Sequence, residues 1–280
     1  MTDKINSSTL TKAADGTITL KISIPQAEIK KVTDEVMAET VKTADLKGFR
    51  KGKAPKKMVE EAVDKSKISE ETLKRLLPKN YMLAVEEHKL RPIVNPKIHV
   101  DKMEPNSDWE FTATTAEMPE VTLGKYKEAI KDVTAKSKIV VPGKETAEVP
   151  TEAILKAVLD NVTMTIPEIL VAGEADRHLA QTLDEIKKLG LTLDQYLQST
   201  GKKPEELRAD YTQKAKQELT LEFALNKIAD AEKVQVETQE IDDAIAKAKD
   251  PVEKANMEQN RYLIASFIRQ QKTLDFLKTL

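Results

Sequence analysis

The eleven residues Lys47 to Lys57, KGFRKGKAPKK, carry six cations (Lys47, Arg50, Lys51, Lys53, Lys56 and Lys57) and no acid. Phe49 stands among them, where a solvated connection would hold a polar side chain, and Gly48 and Gly52 frame it. Glycine reaches positive φ without steric cost, so the pair can present Phe49, Arg50 and Lys51 together at a tip. Such a tip suits a partner that combines an apolar notch with phosphates or carboxylates. The bland alternative is a basic, solvated connection between two helices. Burying a phenylalanine contributes about 1.5–3 kcal/mol, whereas an exposed ion pair contributes about 0–1 kcal/mol. The ring would therefore anchor a contact, and the cations would steer it and make it salt-sensitive.

Other chemistry is sparse. His88, His99 and His178 lie at a helix end, on a strand and on a helix, with no second histidine or carboxylate at a metal-binding spacing; Glu174, four residues before His178, reads as a helix-surface pair. Gly48, Gly52 and Lys53 fall one residue short of a phosphate-binding loop, and Ala54 stands where the magnesium-binding hydroxyl belongs. Asp242 with Asp243, and Glu128 with Asp132, read as solvated faces in a chain with 47 acids. No catalytic residue, metal or cofactor is expected. The absence of cysteine excludes disulfides and thiolate metal sites and fits a reducing cytosol.

The elements that must position the basic tip follow from the patterning. The 280 residues suffice for two domains, and the net charge of −2 with 33% charged residues makes any nucleic-acid affinity local. Ile18, Leu20, Ile22 and Ile24 alternate with polar residues, which predicts a strand with one buried face. Pro25 opens a helix from Gln26 to about Leu46, carrying Ile29, Val32, Val36 and Val41. After the tip, Met58 to Val63 form a short apolar face and Leu73 to Val85 a longer one, which Pro78 should kink or divide. Two strands then meet around Glu104–Asp108, with Ile98 and Val100 facing one way and Trp109, Phe111 and Ala113 able to pair across the turn.

Residues 1–123 thus read as an α+β domain, an antiparallel sheet packed with long helices. Residues 124–150 read as a linker or arm, and residues 151–280 as an all-α domain. In the last part, Thr192 with Gln195 and Asp250 with Glu253 have capping-box spacing, Gly190 is a left-handed stop, and long helices run over 204–231 and 251–280. The amino terminus has no apolar signal region and no stretch is long enough to span a membrane, so a cytoplasmic protein is expected.

The run Gly48-Phe49-Arg50-Lys51-Gly52-Lys53-Ala54-Pro55 is similar to the Gly-Phe-Arg-x-Gly-Lys-x-Pro signature of the bacterial trigger factor family, chaperones that dock beside the ribosomal exit tunnel. The elements around it, WEFTATTAEMPEVTL, and IPEILVAGEADRHLAQTLDEIKKLGLTLDQYL from Ile166 resemble the same family. The resemblance implies an α+β ribosome-binding domain followed by a helical chaperone domain. Phe49, Arg50 and Lys51 would touch ribosomal protein and RNA, with Gly48, Gly52, Lys53 and Pro55 shaping or extending the tip. It further implies an ATP-independent chaperone for nascent polypeptides, with a homodimer as a further option. Family members usually carry a prolyl-isomerase domain of about a hundred residues between the two parts. Residues 124–150 are too few for one, so isomerase activity is expected to be missing.

Flexible thioethers suit promiscuous contacts, which makes Met164 and Met257 candidates for the client surface. Two rivals predict different behaviour. A peptidyl-prolyl isomerase would catalyse turnover of proline peptides. An RNA-binding protein using the basic loop would bind free RNA with a steep salt slope and tolerate loss of the phenyl ring.

Overall fold

The computed structural model describes residues 7–45, 49, 55–137 and 150–280. The chain forms two compact units, Met1–Met118 and Pro119–Leu280. The first contains β1 (Ser7–Lys12), β2 (Thr17–Ile24), α1 (Gln26–Thr43), α2 (Lys56–Ala62), α3 (Lys65–Glu87), β3 (Lys97–Lys102) and β4 (Trp109–Ala116). Its four strands are antiparallel in the order β1-β2-β4-β3.

The alternation in β2 fixes which face is covered. Ile18, Leu20, Ile22 and Ile24 are all buried, and the register sets Leu20 opposite Ala113, Ile22 opposite Phe111 and Ile24 opposite Trp109. These residues share one core with Ile29 of α1 and Leu76, Ala84 and Val85 of α3. β3 pairs as expected, with Ile98 opposite Ala113 and Val100 opposite Phe111, but all six of its residues are exposed on the sheet edge.

β1 has no counterpart in the sequence reading. It contains one apolar residue, Leu10, which packs against the core, and its period-2 signal is correspondingly faint. The turn into β2 is built by Gly16 at φ 88° and by Asp15, whose carboxylate accepts from the Thr17 backbone N–H at 2.9 Å and from its hydroxyl at 2.7 Å. α3 runs unbroken through Pro78. The carbonyl that loses its partner there is that of Lys74, and both residues are exposed, where the bond is given up at least cost.

The second unit begins earlier than the sequence suggests, and the segment read as a linker contributes to it. β5 (Thr122–Leu123) is followed by α4 (Tyr126–Ser137), with Tyr126 and Ile130 buried in the second core. The expected first-domain boundary at 123 therefore moves to 118. Tyr126, Ile130 and Val133 form one helical stripe, masked in the sequence by seven charged or hydroxyl-bearing neighbours within the same twelve residues. The remainder of that segment, with the apolar run Ile139–Val141, lies outside the described residues.

The unit continues with α5 (Thr151–Asp160), β6 (Val162–Thr163), α6 (Glu168–Lys188), α7 (Leu193–Thr200), α8 (Pro204–Ala231), α9 (Thr238–Ala246), α10 (Pro251–Gln259) and α11 (Arg261–Thr279). Ile130, Ile154, Val158, Ala224, Ile228 and Leu277 form its fully buried centre. β5 pairs with β6, and at their junction Gly124 donates its N–H to the Asn161 carbonyl at 2.7 Å. A Cβ on Gly124 would stand 2.8 Å from that oxygen, so the close approach requires glycine.

Thr192 and Gln195 form the expected reciprocal capping box and Gly190 has φ 72°, whereas at the second expected box Asp250 alone caps, accepting from the Val252 N–H at 2.9 Å without a return bond from Glu253. The predicted final helix is divided at Asn260, whose side chain donates to the Asn256 carbonyl at 2.8 Å. Such local back-bonding competes with helix propagation.

Candidate functional site

α1 and α3 pack side by side and hold the base of the basic tip. Arg75 binds the Glu39 carboxylate in fork geometry at 3.1 and 2.7 Å, and Lys79 reaches Glu28 at 2.7 Å. The bond from Arg75 holds the Glu39 carboxyl below the usual carboxylate range. α1 ends at Thr43, where Ala44 turns extended (φ −60°, ψ 134°) while still donating its N–H to Thr40 at 2.8 Å.

Beyond this exit Phe49 lies in a bend with 38% of its surface exposed. Pro55 caps α2 in an extended conformation (φ −58°, ψ 138°), its carbonyl accepting from the N–H groups of Met58 at 3.0 Å and Val59 at 3.3 Å. Val59 is fully buried and anchors α2, while Met58 remains 48% exposed. Gly48, Arg50, Lys51, Gly52 and Lys53 lie outside the described residues. The tip thus begins from a braced helix and ends on an anchored one, with an aromatic ring in solvent between them.

The client-surface candidates named from sequence separate. Met164 is partly buried against the second core, and Met257 is half-buried on α10. The larger exposed apolar side chains lie elsewhere: Val252 on α10, and Tyr262, Leu263 and Phe267 on α11, the last three between 50% and 70% exposed. Leu263 and Phe267 are one turn apart and share a face, while Thr273 and Leu277 of the same helix are buried. Periodicity shows that such a helix has an apolar face but not how wide the covering neighbours are, so the exposure of Phe267 is visible only in the structure.

The histidines also resolve. His88 caps α3 and meets the Ser8 hydroxyl at 2.9 Å, while Ser8 also bonds Glu87. His99 is exposed on β3. His178 is buried on α6 with its Nε2 2.6 Å from Glu218 of α8, a partner 40 residues away that helix spacing could not reveal. Arg177 holds Glu174 through hydrogen bonds and keeps its carboxyl low. Glu222 reaches solvent along part of its side chain, yet desolvation of its carboxyl, and then the charge of Glu174, raise it.

No helix among the described residues is long and apolar enough to cross a membrane. Comparison with known proteins gives a consistent result over both units. The family model described as bacterial trigger factor protein matches residues 6–149, and that described as its C-terminus matches residues 124–279. The trigger factor of Lactococcus lactis subsp. cremoris (strain MG1363) is 37% identical over 135 residues, 48% of this chain and 32% of that protein. That of Natranaerobius thermophilus is 34% identical over 121 residues, 43% of this chain and 27% of the other. In these alignments the chain spans about a third or less of the length of the curated relatives it matches. A solved structure of the trigger factor chaperone, described for promiscuous substrate recognition in folding and assembly, superposes with a TM-score of 0.63 at 10% identity, covering 98% of this chain and 99% of the other. That likeness establishes a shared fold.

Proposed function

Because the chain belongs to the bacterial trigger factor family, we propose that it is an ATP-independent chaperone that docks beside the ribosomal exit tunnel and shields emerging polypeptides. The observation that carries this reading is Phe49, an exposed ring in a bend between a braced α1 and an anchored α2, inside the family's own signature. Phe49 supplies apolar anchoring, and Arg50 and Lys51 pair with ribosomal protein and RNA. Gly48, Gly52, Lys53 and Pro55 shape or extend the tip. Docking at the ribosome places the chain in the cytoplasm.

The first unit is the docking module, and the second holds nascent or unfolded chains. Support for the latter comes from Tyr262, Leu263 and Phe267, which offer apolar surface without a nucleotide-driven step. Weak contacts spread over such a surface accept many clients and release them as they bury their own apolar groups. The two family-model matches overlap at 124–149, so no internal stretch is left over for a prolyl-isomerase domain. This supports a chaperone without prolyl-isomerase catalysis.

Co-sedimentation with ribosomes at low salt tests the reading. The native chain is expected in the pellet, and a variant with Phe49, Arg50 and Lys51 all changed to Ala in the supernatant. Native protein left in the supernatant would refute ribosome docking. Equal retention of native and Phe49→Ala protein on free RNA, with a steep salt slope, would favour the RNA-binding alternative. Turnover of a proline peptide above background would restore the isomerase alternative.

A further inference from the structure

The buried histidine of the second unit stands at the meeting point of two carboxylates that the chaperone reading does not use. Glu174 and His178 are one helical turn apart and share a face of α6, and Glu218 approaches that face from α8. One imidazole nitrogen and one oxygen from each carboxylate all lie within 4.8 Å of one another. We propose that Glu174, His178 and Glu218 form a site for one divalent transition-metal ion, zinc above all, that clips α6 to α8.

The distances fit such an ion. His178 Nε2 is 2.6 Å from Glu218 Oε2 and 3.6 Å from Glu174 Oε1. Zinc binds imidazole nitrogen at about 2.0–2.1 Å and carboxylate oxygen at about 2.0–2.2 Å, which at a tetrahedral angle separates neighbouring donors by roughly 3.3–3.5 Å. The observed pair straddles that value. Accommodating the ion requires Glu218 to withdraw by roughly an ångström, which its half-exposed side chain allows. A single imidazole nitrogen carries at most one hydrogen, which at these distances goes to Glu218 rather than Glu174, whereas an ion bound to its lone pair serves both.

The surroundings hold the donors in place. The His178 ring stacks on Tyr211 with centroids 5.9 Å apart and planes at 18°, and the Tyr211 hydroxyl is itself fixed to Thr182 at 2.6 Å. Arg177 grips the Glu174 carboxylate from Nε at 3.1 and 2.9 Å, which keeps it ionised and oriented. Lys214 lies 3.8 Å from Glu218 Oε1, the oxygen that does not face the histidine. Glu218 is open to solvent, so water can complete a fourth position. One imidazole with two carboxylates suits zinc, and by the usual order of affinities nickel and copper as well; magnesium and calcium prefer all-oxygen sites.

The test uses the tag-free full chain after chelator treatment, titrated with ZnCl2 by calorimetry and with CoCl2 by visible absorbance. The expected result is saturable uptake of one ion per chain, a tetrahedral cobalt band displaced by zinc, and a higher melting temperature with zinc than without. Glu218→Gln, at a half-exposed position that leaves the helix intact, should abolish all three, and His178→Ala should do the same. His99→Ala should leave them unchanged. No saturable uptake by the native chain, uptake undiminished in Glu218→Gln, or uptake lost in His99→Ala would each overturn the proposal. An equal stabilisation by MgCl2 would overturn the transition-metal assignment.

Discussion

Tyr126 donates its phenolic hydrogen to Glu232 Oε1 at 2.8 Å, joining the first turn of α4 to the residue that ends α8, 106 positions later. Lys127 reaches the same carboxylate at 2.6 Å. Burial, and then Glu232, push the Tyr126 phenol well up, while Lys127 first and Tyr126 second hold the Glu232 carboxyl down. Two neighbours on α4 thus clamp one acid, and a segment that looks like a tether in sequence is fastened at its start.

Tyr126→Phe should cost about 0.5–1.5 kcal/mol at neutral pH, the net worth of one hydrogen bond, since the ring itself stays buried. The pH dependence has a definite sign. Glu232 has a folded pKa below its ordinary value of 4.5, so its contribution is complete above that value and fades as pH falls through the depressed one. Urea unfolding at pH 7 and at acid pH checks this: the gap between native and Tyr126→Phe protein should narrow in acid.

Ile130→Ala distinguishes a packed helix from a tether. The side chain is fully buried among Ile154, Ile228 and Leu277, so truncation should cost about 2–5 kcal/mol in the unfolding of the second unit. A change below about 0.5 kcal/mol, the ordinary surface value, would return this stretch to the status of an arm.

The contrast between β2 and β1 shows what the sequence could and could not convey. β2 was legible because four branched or long aliphatic residues alternate and all four are buried, so pattern and packing agree. β1 pairs with it along six positions through its backbone, with Leu10 its one apolar side chain on the core, and backbone hydrogen bonds leave no residue signature. The same division holds for helices. The capping pair Thr192 and Gln195 was readable because cap chemistry is local, whereas α4 depends on a core assembled from α5, α8 and α11. At the candidate site Phe49 announced itself by being apolar in a basic run. Phe267 did not, because its exposure depends on which neighbours α11 lacks on that side. Glu218 could not be paired with His178 before α6 and α8 were laid together.

Phe49→Ala should separate stability from docking. Phe49 already has 38% of its surface in solvent, so melting should shift little. If the exposed part of the side chain is buried on the ribosome, about a third of the 1.5–3 kcal/mol for a whole phenylalanine, roughly 0.5–1 kcal/mol, is lost, and the dissociation constant rises about twofold to sixfold. Equilibrium binding to labelled ribosomes measures it. Phe49→Leu should retain part of the affinity, because burial rather than aromatic geometry supplies most of the term. No loss on Phe49→Ala at any salt, with native binding falling steeply as salt rises, would assign the contact to the cations instead.

The apolar face of α11 allows a final separation, between residues that hold the helical unit together and residues that hold its clients. Leu277 is fully buried, so Leu277→Ala should destabilise the unit by about 2–5 kcal/mol and lower client holding only as a consequence of unfolding. Leu263 and Phe267 are at least half exposed, and glutamine is a good helix former, so Leu263→Gln with Phe267→Gln should leave the melting temperature nearly unchanged. Each substitution removes apolar surface that a client would cover, and a loss of about 1.5 kcal/mol corresponds to roughly tenfold weaker holding. Light scattering from a denatured client diluted into buffer reads that directly: more chaperone should be needed to suppress the same aggregation. Unchanged suppression by the folded double variant would move the client surface off this helix, toward the exposed Leu189 and Leu191 that follow α6.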